Sequence, residues 1–387
     1  MVKYKVLIAH QSTIPHYRID FYNALMKLKP NSWNFDVVYD VEESAKKRFF
    51  KEDIDASLFS FNTLNTKSFF YNNGNSYVAF QDFVFKTRGY DLIIVEQAFN
   101  NLSYPMVQML RLFGKKVALW GHGRHMSAIN PSISKKVMEW SKAKLMTLSD
   151  GFFGYTTETK DYLLNSGYDP YKIFVLNNTI DIQKQRTYYS RFIEKREEVK
   201  SQYRLHGKKV LLFVGRFNHT KRLDFLIGAV NKLVEKDPSY ILFIVGNGKN
   251  SNLQELHESE NIRFLGSITD LEILAPIYCM SDLFVFPGQV GLGPLQAMCF
   301  DLPILTVDSP RHMPEFVYLN NQNSISMKNG TTCEEYCNEI NRVFISETLN
   351  SLKSNIWNSI SHLTIDNMAK NMINGVNQIL RINDSDR

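Results

Sequence analysis

The chain lacks the features that would mark a disulfide-built, membrane-spanning or metal-built protein. It has four cysteines in 387 residues, at 279, 299, 333 and 337, all in the C-terminal half. So few thiols, with no further cysteine or histidine at metal-ligand spacing around Cys333 and Cys337, argue for reduced side chains. No apolar run approaches the roughly 20 residues a spanning helix needs; Tyr240–Val245 is among the longest. The opening MVKYKVLIAH reads as a short strand with no small-residue cleavage site behind it. A secretion signal is therefore not expected, and a cytoplasmic location is. There is no Walker phosphate loop and no G-x-G-x-x-G after the first strand, which disfavours a kinase or an NAD-dependent enzyme. Asp53-Ile-Asp55 has the form of a metal-binding Asp-x-Asp but follows no strong strand, so it reads as surface.

What is present is ordinary for a globular protein: 44% hydrophobic and 22% charged residues. One core rarely grows past roughly 250–300 residues, so two domains are expected. The net charge of +6 is unevenly placed. Residues 1–185 hold 23 basic and 17 acidic residues, and residues 101–150 hold eight against two. Such a patch suits an anionic lipid or a phosphate-bearing acceptor, or is simply a solvated face; no nucleic-acid partner is expected.

Strand-like and helix-like segments alternate along the chain. Lys5–His10, Asn34–Tyr39, Leu92–Glu96, Lys116–Trp120, Phe152–Tyr155 and Ile173–Leu176 read as strands of the first half. Ile19–Leu28 and Tyr104–Phe113 read as helices between them. The pattern restarts at Lys209–Val214 and continues through Ile241–Val245, Ile262–Leu265, Leu283–Phe286 and Pro303–Val307. Continuous apolar runs separated by helices imply parallel sheets covered on both faces. Gln183–Leu205 is charge-rich and reads as a linker leading into a helix. A capping box at Thr331 or Thr332 opens a helix through Ile345. Ile365–Leu380 reads as a last helix, and Asn383–Arg387 as a frayed end. The expected domains are 1–184, 185–360 and a closing helix 361–387 that packs back on the first. Two doubly wound, Rossmann-like domains of this kind leave a cleft, with ligands at the carboxyl ends of the strands.

Residues with chemistry follow those strands. Gly215 and Arg216 end Lys209–Val214, with Lys221 five residues on near a helix start. A guanidinium, an ammonium and a helix N-terminus suit a diphosphate; read alone, they are equally a surface turn. Gly248, in Val-Gly-Asn-Gly, and Gly266, in Phe-Leu-Gly, follow further strands, as tight turns or as places of close approach to a ligand. A glycine-rich loop, Phe286-Pro-Gly-Gln-Val-Gly-Leu-Gly, leads into a helix near Pro294. The amides of Gly291, Leu292 and Gly293 suit phosphate or sugar oxygens. In the first half, His122 lies between two glycines after Trp120, followed by Arg124 and His125. Tyr17 and Arg18 follow the first strand, and Glu96 closes LIIVE.

In this order the motifs resemble those of retaining glycosyltransferases of the family-4 type (glycosyl transferases group 1), which have the GT-B fold. Asn177-Asn-Thr-Ile-Asp181 is similar to the family's N-x-x-D junction, and residues 363–380 to its closing helix. The resemblance implies a nucleotide-sugar donor (UDP- or GDP-linked) and no metal or other cofactor. It implies that Arg216 and Lys221 neutralise the departing nucleoside diphosphate. Gly215, Gly248, Gly266, Gly291, Leu292, Gly293 and Gln296 would line the donor, and His122 would meet the donor sugar. Tyr17, Arg18, Glu96 and Arg124 are the acceptor-side candidates. The chain departs from the family at two places. Gln296 replaces the glutamate that binds the ribose, and the partner glutamate seven residues earlier is missing, as in a sub-branch with a PG-x-VGL loop. Asp301 stands where the family has glycine. The acceptor such enzymes take is commonly a lipid-linked saccharide of a bacterial surface polysaccharide. Met106, Val107, Leu110 and Phe113 beside the basic segment suit contact with an anionic membrane at the inner face of the cell. The alternatives are a nucleotide-sugar epimerase on the same fold, for which no acid/base pair is visible, and a relic that binds without catalysis.

Overall fold

The computed structural model describes residues 2–10, 14–40, 56–72, 77–98, 100–123, 141, 144–248 and 257–382. The chain forms two compact units, Met1–Ile180 with Ile365–Arg387, and Asp181–Thr364. The divisions fall at 180/181 and 364/365 rather than at 184/185 and 360/361.

The first unit is built on a seven-stranded sheet in the order β3-β2-β1-β6-β7-β8-β9. Its strands are β1 (Tyr4–Ala9), β2 (Trp33–Tyr39), β3 (Asn62–Asn65), β6 (Leu92–Glu96), β7 (Lys116–Gly121), β8 (Gly151–Gly154) and β9 (Ile173–Val175). All neighbours in it are parallel. β4 (Ser68–Asn72) and β5 (Tyr77–Gln81) form a separate antiparallel hairpin. Apolar side chains at consecutive positions of β1 and β6 point to opposite faces, so each face has a core. One is an aromatic cluster of Phe21, Tyr22, Trp33, Phe35, Trp120 and Phe153.

That core is closed by the helix Ile365–Leu380, which buries Met368, Ala369, Met372, Ile373, Val376 and Ile379 in it. The sheet and this helix also share polar anchors. The indole Nε1 of buried Trp33 donates to Asn377 Oδ1 at 2.9 Å, and Asn371 Nδ2 donates to the Leu176 carbonyl at 3.2 Å. Removing one partner of a buried hydrogen bond strands the other. Asn377→Leu is therefore expected to lower unfolding stability by about 1–3 kcal/mol. Chemical denaturation followed by Trp fluorescence checks this, and an unchanged midpoint would show that Trp33 finds another acceptor.

The second unit has a six-stranded parallel sheet in the order β12-β11-β10-β13-β14-β15. It comprises β10 (Lys209–Val214), β11 (Tyr240–Val245), β12 (Ile262–Gly266), β13 (Leu283–Phe286), β14 (Ile304–Val307) and β15 (Ser324–Met327). Counted from its own first strand this is 3-2-1-4-5-6, the doubly wound order whose ligand crevice lies where the winding reverses. The reversal falls between β10 and β13 here, and between β1 and β6 in the first unit.

The segment Gln183–Leu205 is not a linker. It forms the helices Ile182–Phe192 and Arg196–Gln202, joined by one 3₁₀ turn. Asp181, the last residue of the N-x-x-D stretch, caps the first by accepting from the Lys184 amide at 2.9 Å. The helices are charged because most of their residues face water; Ile182, Gln185 and Val199 are buried. Arg196 ties them to the sheet by pairing with Asp282 and donating to the Ser281 carbonyl. The capping box uses Thr332 and Glu335, and its helix is Cys333–Ile345. Among the described residues no helix is long and apolar enough to cross a membrane. Asp53, Asp55 and residues 383–387 lie outside the described residues.

Candidate functional site

Chemistry-bearing side chains gather at the carboxyl ends of both sheets, each time at the reversal point. In the second unit β10 ends at Val214, and Gly215 takes the chain out with its N–H on the Val245 carbonyl at 2.9 Å. Arg216 follows, exposed and with no hydrogen bond or ion pair among the described residues. The chain turns through the 3₁₀ segment His219–Lys221, capped by Asn218, and through Arg222 at φ 53° before the helix Leu223–Lys236. Lys221 thus precedes the helix by two residues rather than starting it.

Lys221 is only part exposed. Its Nζ lies 5.0 Å from the centre of the Phe286 ring and donates to the Gln289 carbonyl at 2.5 Å. Burial, and then the neighbouring Arg216 charge, push its ammonium down to about 8. At neutral pH it stays mostly charged, and a bound anion would hold its proton to higher pH. The glycine loop after β13 is stitched to this segment from the other side, because Gln289 N–H donates to the Thr220 carbonyl at 2.8 Å. The two segments run so close that a Cβ on Gly288 would sit 2.3–2.4 Å from backbone atoms of Lys221. Gly288 and Gln289 are the residues of this loop that the motif reading passed over. Their signal was the glycine itself, but its reason is a neighbour distant in sequence.

The loop ends in a short helix, Gly293–Met298, with Pro294 in its first turn. The amides of Gly291, Leu292 and Gly293 donate to no backbone carbonyl among the described residues, and the three residues are part exposed, which suits an oxyanion-binding turn. Gln296 is also part exposed, and its Nε2 lies 3.3 Å from Gln185 Oε1. Gly248 has a structural reason for being glycine, since a Cβ there would lie 2.0 Å from the Phe217 carbonyl oxygen. It and Gly246 let the β11 loop pack on the β10 loop. Gly266 adopts φ 72° with open space where a side chain would go. Asp301 gains an account: it sits at φ 50°, and its carboxylate pairs with Arg186 at 2.9 Å. That guanidinium stacks on Tyr189 and Trp357 and donates to the Cys299 carbonyl.

In the first unit the reversal point holds an acid–base pair. His10 follows β1 and Glu96 ends β6, and His10 Nδ1 meets Glu96 Oε1 at 2.8 Å. His10 Nε2 meets the Tyr22 hydroxyl. Burial raises the Tyr22 phenol far above its ordinary value, so it keeps its proton. With Tyr22 donating to Nε2, the proton on Nδ1 faces the Glu96 carboxylate. This pair is absent from the sequence reading because its members are 86 positions apart.

His122 stands at the end of β7, edge-on to Tyr155 at 4.4 Å between ring centres. Burial pushes its imidazole down to about 4; Glu96 opposes the fall and Arg18 adds to it. His122 is therefore neutral at pH 7. A base depressed by folding takes up its proton more readily when unfolded, so stability falls as pH drops from about 6.5 to 4. His122→Asn is expected to flatten that acid limb, by up to about 3 kcal/mol at pH 4. Urea midpoints from pH 7 to pH 4 check it, and an equal acid slope in both proteins would count against it.

Arg18 is not presented to solvent as an acceptor ligand on the surface would be. It is 1% exposed, with its guanidinium 4.9 Å from the centre of Trp120 and Nη1 3.6 Å from Met368 Sδ. Tyr17, in contrast, is 40% exposed. Arg124 and His125 lie outside the described residues. Among the described residues no three His, Cys, Asp or Glu side chains gather as a metal site. The cysteines are free thiols, and burial pushes that of Cys279 up to about 12, which makes it unreactive.

Residues 208–345 match the family model Glycosyl transferases group 1. That stretch holds the donor-side candidates of the second unit, from Gly215 to Gln296. Spore coat protein SA of Bacillus subtilis is 28% identical over 185 residues, which is 43% of this chain and 46% of that protein. The chain thus spans less than half the length of the curated relatives it matches. The fold is matched end to end. Anabaena Alr3699/HepE in complex with UDP aligns with a TM-score of 0.67 at 13% identity, over 96% of this chain and 99% of that one. A putative UDP-N-acetylglucosamine 2-epimerase of Listeria monocytogenes aligns with a TM-score of 0.61 at 13% identity, over 99% and 98%. The fold is GT-B: two parallel-sheet α/β units, as in these neighbours.

Proposed function

We propose that the protein is a retaining glycosyltransferase that moves a sugar from a UDP- or GDP-sugar to an acceptor hydroxyl without a metal ion. The observation that carries this is the stitching of Lys221 and Thr220 to the glycine loop at the reversal point of the second sheet. It sets Lys221 beside a loop whose amides at 291–293 donate to no backbone carbonyl among the described residues, an arrangement that suits an anion. The family match over residues 208–345 and the UDP bound to HepE support a nucleotide-sugar donor.

In this reading Arg216 and Lys221 stabilise charge as it builds on the leaving diphosphate. The sugar–phosphate bond loosens first. The acceptor hydroxyl then attacks from the same face, and its proton passes to a donor phosphate oxygen, so no protein nucleophile is needed. Neutral His122 offers the donor sugar a hydrogen bond, and Glu96, held by His10, orients the acceptor.

The proposed acceptor is a lipid-linked saccharide used for capsule, O-antigen or exopolysaccharide, met at the cytoplasmic face of the membrane. Leu112 and Phe113 are 82% and 79% exposed, and Met106 and Met109 are exposed beside them. Val107, expected on that surface, is buried in the core instead. Arg111 and Lys116 of the basic segment share Asp150, which reduces its charge.

The His10–Glu96 pair also favours a second reading, a nucleotide-sugar epimerase, for which an acid–base pair is the missing part. A thermal-shift screen against UDP, GDP, ADP and their sugar conjugates, without metal, decides the first point. Ligand at 100-fold Kd stabilises by about 2.7 kcal/mol. No response to any nucleotide would overturn both readings. Incubating the responding sugar nucleotide without acceptor separates them, since an epimerase converts its sugar and a transferase leaves it intact apart from slow hydrolysis. Absence of binding to anionic vesicles at low salt would remove the membrane contact.

A further inference from the structure

The sequence reading gave no role to the stretch after β14, yet a histidine in it grips the glycine loop. His312 is 1% exposed and stacked on Phe316 with 4.0 Å between ring centres. The Val290 amide donates to its Nδ1 at 3.0 Å. Its Nε2 lies 3.0 Å from the Val307 carbonyl oxygen, which only accepts. These two bonds admit a single form of the ring: neutral, with its proton on Nε2. A proton on Nδ1 would set N–H against N–H.

The loop is held at the same point by its other polar groups. Met313 N–H donates to the Val290 carbonyl at 2.9 Å, and Gln289 Nε2 donates to the Arg311 carbonyl at 2.7 Å. Residues 289 and 290 are therefore fastened on one side to 311–313 and on the other to Thr220 and Lys221. The amides of Gly291, Leu292 and Gly293 come next along the chain, so their direction depends on where Val290 is fixed.

We propose that His312 is the positioning residue of this loop: it acts through Val290 to aim the amides of residues 291–293 at the donor's phosphates, and does not itself touch the donor. The proposal rests on the reading of the loop as a donor-phosphate site. A preorganised turn binds an anion more tightly because the loop need not be ordered on binding.

Three variants separate its bonds. His312→Asn places an acceptor near the Nδ1 position and gives up the Val307 bond. His312→Gln keeps a donor near Nε2 and gives up the Val290 bond. His312→Phe keeps only the stacked ring. The first measurement is amide hydrogen exchange over residues 286–296 in nucleotide-free protein. The Gln and Phe variants are expected to lose protection there, and the Asn variant to retain most of it. The second is the Kd for UDP, or for whichever nucleotide the wild type binds. It should rise about 10-fold or more in the Gln and Phe variants, and less than about 3-fold in the Asn variant, the size of one hydrogen bond. A residue that served only the stability of the unit would rank the variants by melting temperature instead.

Unchanged exchange in the Gln and Phe variants overturns the positioning role, whatever the nucleotide does. Lost protection with nucleotide affinity unchanged also overturns it, since the loop would then be held by His312 but not aimed by it. A wild type that binds no nucleotide, with protection lost in the variants, overturns the donor-site reading together with the aim assigned to the loop. The clamp alone would then stand.

Discussion

Lys221→Met is expected to yield a protein that is more stable at pH 7 and nearly inactive. In the unfolded chain this lysine titrates at its ordinary value, near 10.4. In the fold, burial against Phe286 and the charge of Arg216 bring it down to about 8. The unfolded state therefore holds more protons between these values, and stability rises with pH across that window. Below about pH 8 the charged lysine opposes folding in full, by an amount on the order of 1–3 kcal/mol. Methionine keeps the stem and removes the charge; loss of the bond to the Gln289 carbonyl offsets part of the gain.

The same charge is what a diphosphate requires. In the wild type, nucleotide affinity should weaken as pH rises through about 8, and Lys221→Met should bind about 10- to 100-fold more weakly at pH 7, the range for a charge-assisted hydrogen bond. Thermal melts and titrations with UDP across pH 6.5–9 read both effects. A variant that melts lower than wild type at pH 7 and binds nucleotide equally well would sink the assignment. The expected trade of stability against binding is common where a site holds a charge partly out of water.

Gly288→Ala is the second change with a large expected effect. A methyl group there meets the Lys221 backbone at 2.3–2.4 Å, and backbone cannot rotate aside as a side chain does. Either the loop or the segment 216–221 must move, at a cost of about 1–3 kcal/mol or more for overpacking. The bonds Thr220–Gln289 and Lys221–Gln289 lie next to the clash, so both registers are lost together. Nucleotide binding should vanish while the first unit keeps its fold. Gly228→Ala is the control, because it lies in the helix Leu223–Lys236 of the same unit and a Cβ there meets only Cys333 Sγ at 3.6 Å, an ordinary contact. Equal nucleotide affinity in Gly288→Ala and wild type would show that the close approach has no bearing on the site.

Much of the fold was legible in the residues. Val210–Val214 and Leu92–Val95 are apolar at every position, as a strand buried on both faces requires, and each lies in a central strand. The helix Ile365–Leu380 was legible because its apolar residues recur on one stripe. Elements at the margins were not. β3, NTLN, is a polar edge strand, and β15, SISM, has too few apolar residues to stand out. The helix Thr348–Ile360 is rich in Ser and Asn, poor helix formers, and is held by the burial of Leu352, Ile356 and Ile360. Charge made Gln183–Leu205 look like a linker, although Ile182 and Val199 bury and three of its arginines pair with Asp301, Glu272 and Asp282 of the same unit.

The sites divide in the same way. The sequence by itself determined the two parallel-sheet α/β halves, the strand ends where ligands are expected, and the contiguous pieces of the proposed donor side, Gly215–Arg216, Lys221 and the loop 287–293. Those features are local: a buried strand, a turn and a helix start follow one another within a few residues. Only the tertiary structure decided what the pieces touch. It brought His10 to Glu96, His312 to Val290, Asp301 to Arg186 and Trp33 to Asn377. It also buried Arg18 and set Gly288 against Lys221. A hydrogen bond or a steric contact depends on distance in space, and in a doubly wound sheet the neighbouring strand ends come from segments tens of residues apart.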